Sequence, residues 1–306
     1  MATTSALPPG VAVTPQAPND DTSRPGRPKP PKQTLCPNAK LRIHLEDLSD
    51  PTTTAVLKQV DLGSLLQTAI LDVQEHLFTL PSQSAAATPP PTTLITSPLA
   101  TPTTTTTPAL PTQPPPSPIL APQEVRSITL VLEAMDGVAY TTGTSLDEAH
   151  KEIHLSLSYC HSILRNNPNN PTALAHELLG VTTHESVHCF QHTCHDTAPA
   201  GLIEGIADYV RLKAGRAPAH WKRFPADRER RGEKWDEGYQ KTAWFLEWCE
   251  RETGLVGRGV CLLNKAMREG KWREGECWRK CFGESVETMW ERYCEGWEEE
   301  NRKHGC

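Results

Sequence analysis

Apolar residues recur along this chain with two periods, and the change from one to the other divides it. Leu41, Ile43 and Leu45 alternate with Arg42 and His44, which predicts a strand. Over 62–78, Leu65, Leu66, Ala69, Ile70, Val73 and Leu77 share one face of a helix. Two runs with apolar residues at alternate positions, 127–133 (SITLVLE) and 152–158 (EIHLSLS), predict two more strands. The stretch between them carries Gly137 and Gly143 and reads as a connection. Asn170 is a predicted N-cap with Pro171 at the first helical position, opening a helix to about residue 192. Beyond Gly201 the period is helical throughout, over 202–214, 235–252, 255–267 and 286–302. A small sheet followed by helices is an α+β pattern.

Two stretches carry no such period. Residues 1–34 and 82–123 are rich in Pro, Thr and Ala and hold many of the chain's 28 prolines. Such sequence buries too little apolar surface to offset its ordering entropy, so both stretches are predicted to be disordered. The remainder, roughly 230 residues, suits one large domain over 35–304, interrupted by the 82–123 insertion.

Charge and targeting narrow the classes. The net charge of -6 lacks the basic excess of a general nucleic-acid binder. The basic segment from Arg24 to Lys32 reads as a solvated linker, with a minor-groove contact to DNA as the rival reading. No run approaches the ~20 apolar residues of a membrane span. The first twenty residues show neither the basic nor the apolar region of a secretory signal. That predicts a cytoplasmic or nuclear protein. In such a compartment the ten cysteines are expected to be free thiols, mostly buried; disulfides belong to the secreted alternative. Cys277 and Cys281 with His304 hint at a second metal site, but the matching second pair is missing. The eight tryptophans, all between Trp221 and Trp297, are expected to pack helices rather than line a groove.

The chemistry centres on residues 183–188, which contain H-E-x-x-H on a predicted helix. Residues four apart lie one turn above each other, so His184 and His188 can reach one ion. In this motif Glu185 sits beside the ion and acts as general base toward water. Fifteen residues separate His188 from Glu204; Glu204 and Asp208 are again four apart, and both interrupt an apolar run. Glu204 is the favoured third ligand, and Asp208 can accept the second ring N–H of a ligand histidine. Zn²⁺ is the expected metal, since two histidines and a glutamate form a known catalytic zinc set. His192 and His195 remain open as alternative third ligands. The longer pattern with a third histidine fails, because Gln191 and Cys194 occupy its places. Tyr239 and His220 are candidates for stabilising a developing oxyanion, and Arg211 for pairing with a carboxylate. The strand over 152–158 is expected to be the sheet edge that receives an extended substrate.

Several motifs, in order, resemble the basic secretory protein family of plants, fungi and bacteria. They are His184-Glu-Ser-Val-His188 with Gln191, the run from Ala198 to Gly215, and the run from Trp235 to Leu246. Leu263-Asn-Lys265 and Gly283 to Trp290 fit its C-terminal part; Glu133 to Tyr140 and Glu152-Ile-His154 fit its N-terminal part. The resemblance runs from about Lys40 to about Tyr293. It implies a zincin-like fold, with a small N-terminal sheet, a metal-bearing helix and a helical C-terminal part. It also implies a zinc metallopeptidase acting on peptides or proteins, zinc at His184 and His188, Glu185 as base, and secretion as the alternative location. Against the family pattern, the chain is not basic, shows no visible secretion signal, and carries His192 where an aromatic residue is expected. The rival function is a non-catalytic, metal-stabilised binding protein of the same fold.

Overall fold

The structure, a computed structural model, describes residues 39–80, 120, 122–221, 231–273 and 275–303. The Pro-rich tail, the Arg24 to Lys32 segment, most of the 82–123 stretch and His304 lie outside the described residues. Strands β1 (Lys40–Leu45), β2 (Ser127–Glu133), β3 (Ala139–Thr144) and β4 (Asp147–Ser156) form one mixed sheet in the order β1-β2-β4-β3. β1 and β4 run parallel to β2, and β3 pairs antiparallel with β4. Ile128, Leu130, Leu132, Ile153 and Leu155 alternate onto the buried face.

The parallel pairing of β1 with β2 needs a crossover, and helices lie within it. They are α1 (Pro51–Gln59) and α2 (Leu62–Val73), which ends in a π-helical turn over Gln74–Phe78. Asp50 and Asp61 cap the two helices by accepting backbone N–H groups. At the far end of the insertion, Leu120 donates its N–H to Phe78 and Gln123 to Phe190, so these residues already belong to the fold.

Three expectations change here. The stretch holding Gly137 and Gly143 contains a strand, β3, hidden because Ala139–Thr144 is polar and only half-buried. The strand expected over 152–158 begins at Asp147 and stops at Ser156, whose side chain caps α3 (Leu157–Asn166). It is also not a sheet edge, since β2 and β3 flank it; the edges are β1 and β3.

Helix α4 (Ala173–Phe190) runs between the sheet and the other helices, and Gly180 to Val187 are all buried. A helix enclosed on all sides shows little amphipathic period. Its N-cap is Thr172 rather than Asn170, whose side chain instead accepts from the Thr172 N–H and hydroxyl.

Helix α5 (Ala200–Lys213) packs against α6 (Tyr239–Glu252) at unusually close range. A Cβ on Gly201 would collide with the Asp236 carbonyl, and one on Gly205 with the Thr242 side chain. The approach of bare backbone brings the start of α6 over the face of α5 that carries Glu204. α6 begins four residues later than the apolar period suggests, because Gly238 (φ 98°) and Tyr239 (φ 49°) turn the chain sharply.

The remaining helices are α7 (Gly259–Ala266), α8 (Glu276–Phe282) and α9 (Val286–Lys303). Phe245 stacks on Trp278 and meets Trp248, Trp290 and Tyr293, which makes most of the tryptophan-rich region core. Glu250, fully buried, accepts from the Tyr209 hydroxyl and from the N–H groups of Gly257 and Val260. It thereby joins α5, α6 and the start of α7.

Candidate metal centre

His184 and His188 stand one turn apart on α4 and face Glu204 on α5. Nε2 of His184 lies 3.2 Å from Nε2 of His188 and 3.1 Å from Glu204 Oε2. Nε2 of His188 lies 3.7 Å from Glu204 Oε1. Ligand atoms 2.0–2.1 Å from a tetrahedral ion stand about 3.3 Å apart, so these separations are those a metal requires. Among the described residues, this is the group of His, Cys, Asp and Glu side chains able to hold a metal ion.

The electrostatics agree. Burial by itself would lower the His184 pKa, but the Asp208 and Glu204 carboxylates outweigh it and hold the value at about 9. Burial would raise the Glu204 pKa, and the two imidazoles outweigh that, keeping the carboxyl well below its usual range. A cation between the three groups meets the same demand that the extra proton meets here.

Each donor is oriented from behind. Nδ1 of His184 lies 2.7 Å from Asp208 Oδ1, which keeps a proton on Nδ1 and turns Nε2 to the centre. Nδ1 of His188 meets the Gln191 side-chain amide at 2.6 Å. With the amide nitrogen toward the ring, Gln191 Oε1 is buried without a partner. Turning the oxygen to the ring lets it accept from Nδ1–H and leaves His188 Nε2 as a lone-pair donor. Gln191 is extended (ψ 153°) and its carbonyl accepts from the Gln123 amide, so the loop end is anchored.

Glu185 points from α4 toward β3, where Thr141 Oγ1 lies 2.7 Å from its Oε2. Thr141 was not legible as a site residue, because it falls in the stretch read as a connection. The Tyr239 ring lies 6.1 Å from the His184 ring, nearly parallel to it, with 58% of the residue exposed. The Glu204 carboxylate, then burial, raise its phenol pKa. Arg211 donates to Glu177 at 2.9 Å and lies under the Trp221 ring. Gly180 makes room for it, since a Cβ there would press on the guanidinium.

The alternative ligands do not join the group. α4 ends at Phe190, so His192 leaves the line of the helix; its N–H donates to Asn264. His195 is exposed on a turn in which Cys194, His195 and Asp196 all have φ near +55°. Cys194 is buried, which pushes its thiol up to about 12 and away from the thiolate a metal needs. None of the described cysteines, Cys277 and Cys281 included, is in a disulfide.

The centre opens into a cleft of ≈ 770 Å³ whose lining includes Val138 to Thr141, Tyr159, Glu177, His220 and Trp221. Fold and site together define a class: an α+β protein with a His-His-Glu group able to hold a metal at the foot of a cleft. The chain belongs to the BSP family, whose model, described as a peptidase of plants and bacteria, matches residues 38–293. That is the family to which the order of the sequence motifs points. No curated protein and no solved structure matches the chain. Among the described residues, no helix is long and apolar enough to cross a membrane.

Proposed function

We propose that this chain is a zinc-dependent endopeptidase of zincin-like fold, with His184, His188 and Glu204 holding the metal. The observation that carries the reading is the convergence of two imidazoles and a carboxylate from two helices: the two Nε2 atoms lie 3.2 Å apart, and 3.1 and 3.7 Å from one or other oxygen of Glu204. Zinc at this site would supply a Lewis acid that polarises the scissile carbonyl and acidifies a water. Glu185 takes the water's proton and passes it to the departing amine. Tyr239 donates its phenolic hydrogen to the carbonyl oxygen as that oxygen gains charge. Asp208 holds the His184 ring in its tautomer. The open edge of β3 receives the peptide as an added strand, which places its backbone beside the centre.

The non-catalytic reading would be favoured by a protein group filling the fourth metal position. Cys194 is turned into the core and His195 lies on an exposed turn, so neither is placed to do so. The peptidase domain is proposed to span 35–304, with 82–123 as an insertion; the family match falls inside these bounds.

The test compares wild type with Glu185→Gln. Both should carry about one zinc per chain, and the variant should lose at least about 100-fold of peptide cleavage, the scale of general-base catalysis. Turnover retained by the variant rejects the mechanism. A wild type that binds no zinc rejects the site.

A further inference from the structure

A carboxylate that moves a proton must hold one oxygen toward water while the other is kept still. Glu185 has three rotatable bonds, and its position on α4 does not by itself select a rotamer. The facing strand supplies the restraint. Thr141 Oγ1 lies 2.7 Å from Glu185 Oε2 and 3.0 Å from the Glu185 backbone oxygen. The hydroxyl has one proton, and the charged, nearer oxygen takes it. Side chains alternate along β3, and the Tyr140 ring is on the other face, stacked on His154 at 4.4 Å. Thr141 therefore faces the helix, and β-branching stiffens its χ1.

We infer that Thr141 is a positioning residue for Glu185: it fixes Oε2 and leaves Oε1 for the proton transfer. The inference rests on Glu185 being the base. Because β3 is also an edge strand of the sheet, the strand that would receive the substrate is the strand that aligns the base.

The test uses the full chain with Thr141→Val, which keeps the shape and removes the donor, and Thr141→Ser, which keeps the donor. Val should lower kcat about 10–100-fold with KM within about twofold, since misalignment of a base costs on this scale. Zinc content and melting temperature should stay at the wild-type level, and Ser should recover activity to within about threefold. Acetohydroxamate, whose hydroxyl proton a correctly placed Glu185 receives, should bind more weakly to Val than to Ser. Should Val fail to fold, Thr141→Ala against Thr141→Ser carries the same comparison.

Wild-type kcat in the Val variant overturns the inference, as does an equal loss in Val and Ser, which would assign the effect to packing. If wild type cleaves no peptide, the peptidase reading fails; the hydroxamate comparison still decides the role of Thr141.

Discussion

Nδ1 of His184 lies 2.7 Å from Oδ1 of Asp208, the residue one turn beyond Glu204 on α5. One helix thus offers both the third donor atom and the group that orients the first. Both partners are buried, so little water competes for the contact.

Replacing Asp208 by Ala frees the His184 ring to take its other tautomer. Zinc affinity should fall about 10–100-fold, read by competition with a chromophoric chelator. Unchanged affinity would mean that something other than Asp208 orients the ring.

Metal uptake should be linked to pH. Without metal, the carboxylates of Asp208 and Glu204 outweigh burial and raise the His184 pKa from 6.5 to about 9. The folded value is the higher one, so the stabilisation is fully present below about 6.5 and is lost as pH rises through about 9. The melting temperature of metal-free protein should fall across that window, and zinc binding at pH 7 should release about one proton. A flat profile without metal, or no proton release in a weakly buffered titration, would contradict the assignment.

Gly205→Ala should damage both the fold and the site. Its methyl group would run into Thr242, so α5 and α6 must separate. A loss of about 1–3 kcal/mol in stability is expected from such overpacking. Glu204 is the neighbouring residue, and zinc retention should drop with it. Thermal denaturation and metal analysis of the same sample test both effects.

Tyr239→Phe removes a hydroxyl and little packing, because the residue is more than half exposed. If the phenol stabilises charge on the carbonyl oxygen, kcat should fall about 10–100-fold with KM nearly unchanged. Equal kcat would leave Tyr239 as a wall of the cleft.

Much of the candidate site was legible from spacing. His184 with His188, and Glu204 with Asp208, are pairs four residues apart, and a helix turns any such pair onto one face. The third candidate ligand was harder, because His192 also lies four residues beyond His188. Only the end of α4 at Phe190, with Gln191 extended, removes it from that line. Thr141 and Gln191 gave no comparable signal. Thr141 reaches Glu185 across 44 positions, and a polar residue in a half-buried strand looks like any loop threonine.

The sheet divides in the same way. β2 was readable because its apolar run packs against the core. β3 was not, because it is polar and gains its structure from pairing with β4. Taken alone, the amino-acid sequence determined the helix faces, the two histidines and the carboxylates four apart, since these follow from backbone periodicity within a few residues. Tertiary structure alone decided the order of the strands, which carboxylate meets which imidazole, and which side chain meets the Glu185 carboxylate. Those depend on segments far apart in the chain coming within a few ångströms, and no local pattern encodes that distance.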